Sequence, residues 1–271
     1  MQAAPSPQAR SELVARLRAA GCVFAEDEAQ LLIAAARTPA DLAAMAGRRA
    51  AGLPLEQVIG WAEFFGLRIA VAPGVFVPRR RTEFLVRRAV ALATDEGAPA
   101  WPLVVVDLCC GTGAVGAALA AALHPAEVHA SDVDPAAVAC ARRNLEGAGG
   151  HVYQGDLYAP LPAALRGRVT LLAANVPYIP TGQIGLLPAE ARLHEPRVAL
   201  DGGADGLDVL RRVAAAAPEW LAPGGHLLTE TSERQAPQAA GIMTGSGLAA
   251  QVTTSDELSA TVVTGTRPAA R

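Results

Sequence analysis

The chain has 271 residues, is 51% apolar and carries a formal net charge of -3. That is enough material for one large α/β domain with a smaller companion. It excludes the overall basic field with which a protein holds a nucleic-acid backbone, although arginines gather at Arg79-Arg80-Arg81 and Arg87-Arg88. No run of about 18 apolar residues occurs and the start, MQAAPSPQAR, lacks the apolar stretch of a secretory signal, so the sequence reads as cytoplasmic. From Ser11 to Arg49, apolar positions such as Leu13, Leu17, Leu31, Leu32 and Leu42 recur at helical spacing and predict three short helices. Gly21 separates the first two. Thr38-Pro39-Ala40-Asp41 separates the next, with Thr38 as N-cap and Pro39 at N1. The stretch WAEFFGLRIAVAPGVFVP then alternates around Pro73-Gly74 and predicts a hairpin turning there.

From Leu103 the pattern changes to short β-branched runs separated by helical stretches. LVVVDL, EVHASDVD, HVYQGD and VTLLAANVP read as strands, with GAALAAALH and PAAVACARRNLEG as the helices between them. Alternation of that kind implies a parallel, doubly wound sheet. DGLDVLRRVAAAAPEWL then reads as a helix and GGHLLTETS as a strand, while LAAQVTTSD and LSATVVTGTR close the sheet as an antiparallel pair, an edge uncommon in dinucleotide folds. The division is residues 1–62, helical; 63–82, a hairpin linker; and 83–271, the α/β domain. Cys22, Cys109, Cys110 and Cys140 have no metal-ligand spacing and read as reduced, packed thiols, so no metal is expected.

DLCCGTGAVG follows the first strand of the α/β domain and opens a helix, so Gly111 and Gly113 let a ligand approach backbone amides at a helix start. Gly111 to Gly116 spell a dinucleotide fingerprint, and Asp132 at the end of the next strand stands where a ribose-binding acid belongs. A plain βα turn reads the same, and a nicotinamide cofactor and other adenosine ligands remain alternatives. Two features favour S-adenosylmethionine. Asp107, just before the glycines, suits the amino group of a sulfonium ligand better than a pyrophosphate, and Asp156 offers a third acid at a third strand tip for the adenine amine. Asp134 before Pro135 reads only as an N-cap.

Asn175-Val176-Pro177-Tyr178 falls at the tip of the fourth strand of that domain, facing the same crevice. An amide nitrogen is a poor nucleophile because its lone pair is delocalised. The Asn175 side-chain oxygen and the Val176 carbonyl can each accept one of its N–H bonds and aim it at a methyl group, with Tyr178 covering the planar group. The same residues also fit an Asx turn, a proline stop and a core tyrosine.

Taken in order, PLEQVIGWAEFFGLRIAVAPGVFVPRRRTEFLV, DLCCGTGAVGAALA, SDVDPAAVACARRN, NVPYIP and HEPRVALDGGADGLDVLRR resemble the HemK/PrmC family of protein-(glutamine-N5) methyltransferases, whose motif is Asn-Pro-Pro-Tyr at this place. The resemblance implies a class I methyltransferase domain with a Rossmann-like seven-stranded sheet, preceded by a helical domain that helps bind a protein substrate. It also implies methyl transfer from S-adenosylmethionine to a glutamine side chain, typically in a peptide-chain release factor. By motif, Asp107, Cys109, Gly111, Thr112, Gly113, Asp132, Asp156, Leu157 and Asn175 are the implied cofactor surface, and Asn175, Val176, Pro177 and Tyr178 the implied substrate clamp. The chain departs from the family in three places. Val176 replaces the first proline yet still precedes Pro177, which keeps it extended. Arg80-Arg81 replace Pro-Glu and invert a charge on a linker expected to face substrate. Cys109 replaces a glycine, which strains the loop if that site needs a positive φ. Related enzymes with this motif methylate exocyclic amines in RNA or DNA, and a nicotinamide-dependent oxidoreductase is a further alternative; neither nucleic acid nor membrane is expected as a stable partner.

Overall fold

The structure is a computed structural model and describes residues 6–94 and 103–269. Helices α1 (Pro7–Ala19), α2 (Ala25–Ala35) and α3 (Pro39–Ala50) appear where the periodicity predicts them, and Thr38 caps α3 by accepting the Asp41 N–H at 3.0 Å. A five-residue α4 (Leu55–Ile59), too short to leave a periodic signal, follows. Their apolar faces close on a small core of Leu13, Leu17, Leu32, Met45 and Val58. Beside it, the half-buried Arg49 grips Glu28 with two nitrogens at 2.6 and 3.0 Å and reaches Glu190, far along the chain, at 3.1 Å. The buried Gln57 donates to the carbonyls of Val75 and His194.

The hairpin turns elsewhere than predicted. Strands β1 (Trp61–Phe64) and β2 (Leu67–Ala70) pair through a two-residue turn at Phe65-Gly66, both at positive φ (52° and 72°), the backbone whose twist matches the strands. Phenylalanine is not a turn residue by type, so sequence pointed to Pro73-Gly74, which makes a separate bend with the Gly74 N–H held by Gln57. β1 begins at Trp61, the first residue of the stretch read from sequence as a hairpin.

Helix α5 (Glu83–Thr94), β3 (Leu103–Leu108), α6 (Ala114–Ala122), β4 (Ala126–Asp132), α7 (Pro135–Leu145), β5 (His151–Gln154), β6 (Val169–Ala174), α8 (Ala189–His194), α9 (Asp208–Trp220), β7 (Leu221–Thr231), α10 (Ala236–Gly245), β8 (Ala249–Ser255) and β9 (Ala260–Thr266) complete the chain. The sheet order is β5-β4-β3-β6-β7-β9-β8, parallel through β7, with β9 antiparallel to both β7 and β8, as the closing pair predicted. Every residue of β3 and β6 is buried, which is why both read as unbroken apolar runs. Strand order reverses between β3 and β6. A crevice therefore opens at their carboxyl ends, the place where such sheets bind ligands. All four cysteines are free. No helix among the described residues is long and apolar enough to cross a membrane.

Candidate active site

A cleft of about 570 Å³ opens at that reversal. Its wall takes in Asp107, Cys109, Gly111, Thr112, Asp132, Asp156 and Leu157 on one side and Asn175, Val176, Pro177 and Tyr178 on the other. Gly113 is the one predicted site residue that does not line it. It ends the loop at φ 74° and turns back onto α7, where an added Cβ would stand 3.0 Å from the Ala141 Cβ, so it shapes the loop from behind.

The loop is a backbone structure. Cys109 has φ 55°, so the strain expected of a non-glycine residue is present, and Gly111 follows at 53°. Asp132 Oδ2 accepts the Gly111 N–H at 2.9 Å while Oδ1 accepts that of Asp134, which ties the loop to the tip of β4. Asp107 is fully buried; one oxygen accepts the Gly116 N–H at 2.9 Å. Burial pushes its carboxyl up to about 7, with the nearby Asp132 charge adding to the rise and the Gly116 bond opposing it. Burial likewise raises Asp132 and holds the Cys109 thiol far up in its neutral form, which makes it no nucleophile. Asp156 is exposed and paired with Arg212 at 2.5 Å, a partner that no local sequence signal announces. Carboxylates at three strand tips beside open glycine backbone make a set of acceptors suited to a ligand with a cationic head and ribose hydroxyls. Among the described residues, no group of three or more His, Cys, Asp or Glu side chains could hold a metal ion.

The other wall is assembled from distant segments. Tyr178 Oη donates to Glu230 Oε1 at 3.0 Å and accepts from Arg81 at 2.6 Å, and Arg81 Nε donates to Glu230 Oε1 at 2.8 Å. Burial is the first cause that pushes the Tyr178 hydroxyl up, and Glu230 adds to it, so the ring stays neutral. The clamp backbone is locked from below: Ile179 exchanges hydrogen bonds with Leu200 and Gly202, and Gln235 Nε2 donates to the Tyr178 carbonyl at 3.0 Å. Gly206 must be glycine here, because a Cβ would come within 2.3 Å of that carbonyl. Arg81 corrects one expectation. Its charge is not offered unpaired to substrate but is matched by the buried Glu230, while Arg79 is matched by Glu195 at 2.5 Å and only Arg80 of the three stands off the cleft wall. Sequence reasoning missed Thr82, Glu230, Gln235 and Arg212. The one available signal was an acid near the end of the strand read in GGHLLTETS.

Residues 81–178 match the methyltransferase small domain family. The chain is 41% identical to the release factor glutamine methyltransferase of Geobacter sulfurreducens over 214 residues, covering 77% of this chain and 72% of that protein. It is also 41% identical over 191 residues to the 4-amino-L-phenylalanine/4-methylamino-L-phenylalanine methyltransferase of Streptomyces pristinaespiralis, covering 69% and 64%. A methyltransferase from Pyrococcus furiosus shares the fold, with a TM-score of 0.53 at 16% identity over 82% of this chain and 97% of that one. Sheet order, cleft position and these likenesses together define a class I S-adenosylmethionine-dependent methyltransferase. Within that class, the chain belongs to the family of the release factor glutamine methyltransferases.

Proposed function

We propose that this chain methylates the side-chain nitrogen N5 of a glutamine in a peptide-chain release factor, using S-adenosylmethionine. The observation that carries the reading is the position of Asn175 and Val176 at the tip of β6, next to β3 and its glycine loop, on the wall of one cleft. When bound, S-adenosylmethionine supplies an electrophilic methyl group. The residues that would hold it are the loop from Cys109 to Gly113, together with Asp107, Asp132, Asp156 and Leu157. Asp107 answers the amino group, Asp132 the ribose and Asp156 the adenine amine.

The clamp holds the acceptor. The Asn175 side-chain oxygen and the Val176 carbonyl take one N–H bond each and present the nitrogen to the methyl, and Pro177 and Tyr178 close over the planar amide. Both acceptors are neutral, so they orient the amide without removing its proton. The relatives named release factor glutamine methyltransferase support the substrate class. Residues 1–62 recognise the substrate protein, 63–82 connect, and 83–271 carry the chemistry. In support, the contacts of Arg49 with Glu190 and of Gln57 with His194 bring the N-terminal helices to the cleft rim.

A second reading follows from the Streptomyces pristinaespiralis relative, whose acceptor is an arylamine on a free amino acid and whose identity is no lower. One assay separates the two. The purified chain, methyl-labelled S-adenosylmethionine and either a release factor or 4-amino-phenylalanine are incubated, and the labelled product is mapped by mass spectrometry. N5-methylglutamine in the release factor is the expected product. Label in the free amino acid, or in RNA or DNA, with none in the protein, overturns the reading.

A further inference from the structure

The clamp depends on the Asn175 carboxamide presenting oxygen, not nitrogen, to the acceptor. A carboxamide can sit either way round at little steric cost, so something must choose. Asn175 Nδ2 donates to Thr82 Oγ1 at 3.4 Å, and Thr82 Oγ1 donates to Glu230 Oε2 at 2.7 Å. The directions in this chain are forced. A guanidinium only donates, so Arg81 Nε must give its proton to Glu230 Oε1 and its terminal nitrogen must give to Tyr178 Oη. Tyr178, already accepting, turns its own proton to Glu230. The carboxylate accepts from all of its neighbours, and Thr82 spends its single proton on Oε2. Only a lone pair remains on Thr82 for Asn175. The amide nitrogen must face it, and the oxygen is left for the cleft.

Resting on the clamp reading above, we propose that Thr82 and Glu230, with Arg81 as the fixed donor, are positioning residues that set which end of the Asn175 carboxamide meets the substrate. Thr82 and Glu230 are 3% and 2% exposed, so water does not enter to reverse either bond. The Asn175 bond is long and weak by itself. The preference comes from the alternative, in which the Asn175 oxygen would face the Thr82 lone pairs. The proposal also gives Arg81 a task. The residue that departs from the family's acid is the one group in the network that cannot reverse its polarity.

The isosteric variant Glu230→Gln tests the direction of the bonds with almost no change of shape. Its oxygen stays with Arg81 and Tyr178, so its NH2 turns to Thr82, the Thr82 proton turns to Asn175, and the clamp oxygen is captured. With a release factor as methyl acceptor, kcat falls about tenfold or more while cofactor affinity holds within about twofold. Thr82→Val produces a similar loss and Thr82→Ser restores most of it. In an Asn175→Ala background, Glu230→Gln adds nothing, because the residue through which it acts is gone. Turnover of Glu230→Gln within about twofold of the parent, or a full additional loss in the Asn175→Ala background, overturns the proposal. Turnover retained by Asn175→Ala itself overturns the clamp reading instead.

A second measurement needs no methyl acceptor. The chain has two asparagines, Asn144 and Asn175. In protein labelled with 15N-asparagine, side-chain amide protons missing from the Asn175→Ala spectrum belong to Asn175. Nuclear Overhauser contacts from them to the Thr82 side chain are expected, and to be lost in Glu230→Gln. Their absence in the parent overturns the orientation, whichever substrate the enzyme takes.

Discussion

The two walls of the cleft are built in opposite ways. On the cofactor side the work is done by backbone and by residues close in sequence, with the Gly111 N–H meeting Asp132 only 21 residues away and the Gly116 N–H meeting Asp107 at 9. On the substrate side the contacts are between side chains of remote segments: Thr82 with Glu230 at a separation of 148, Arg81 with Tyr178 at 97 and Asn175 with Thr82 at 93. A loop that works through its backbone tolerates changes of its own side chains. A wall made of a directional network of side chains does not. Binding of the cofactor and transfer of the methyl group should therefore fail separately, and each expectation below is a way to force or deny that separation.

The largest effect is expected from Asn175→Ala. Loss of one oriented bond near a transition state costs about 2.7 to 4 kcal/mol, roughly a hundred- to thousandfold in turnover, whereas loss of an ordinary cap costs about 1 kcal/mol of stability and little rate. Steady-state methyl transfer beside calorimetric titration of the cofactor checks it. Near-full turnover in a folded protein removes the clamp, and an equal loss of cofactor affinity removes the contrast between the walls. The reciprocal variant is Asp132→Ala. It should weaken the cofactor by about 1 to 3 kcal/mol through lost ribose bonds, with turnover at saturating cofactor much less affected.

Asp107 gives a smaller effect, with a sign. Burial raises its folded carboxyl from 3.8 to about 7, so the folded chain holds this proton more tightly than the unfolded one. That contribution to stability is complete below about pH 4 and is lost as pH rises through about 7. A cationic amino group on the cofactor prefers the carboxylate, so the two trends oppose each other. Cofactor affinity should fall with acidification below about pH 7, by at most about tenfold per pH unit, while the cofactor-free chain gains stability over the same range. Titrations between about pH 5 and 8 check both limbs. Asp107→Asn should flatten them, and a flat profile in the parent would show that Asp107 does not meet a cation.

The same contrast decides what was legible in the sequence. The doubly wound sheet, its antiparallel closing pair and the acids at Asp107, Asp132 and Asp156 could be read because each is signalled within one β-strand and the turn that follows it. Asn175 to Tyr178 could be read as a motif at a strand tip. What holds Asn175 in place could not: Thr82 is an unremarkable polar residue before α5, and Glu230 is one acid in a strand, until the fold brings them to 2.7 Å. The hairpin turn at Phe65-Gly66 was hidden for a different reason. Its backbone demands two positive φ values, and Phe65 supplies one of them against its own preference, carried by packing against the main core.

Cys109 is the sharpest small test of the claim that the glycine loop works through its backbone. At φ 55° an L-residue pays about 1 kcal/mol relative to glycine, while glycine gives back part of that through the greater freedom of the unfolded chain. Cys109→Gly should therefore change stability by less than about 1 kcal/mol, in the stabilising direction, and Cys109→Ala, which removes the thiol and keeps the strain, should be the less stable of the two. Chemical denaturation of the three proteins reads the difference. Cofactor affinity should stay within about threefold in both variants, since the thiol is neutral and the ligand approaches the chain atoms of the loop. If Cys109→Ala and Cys109→Gly both lose more than about tenfold in affinity, the sulfur itself touches the ligand. The loop would then act through a side chain, as the substrate wall does.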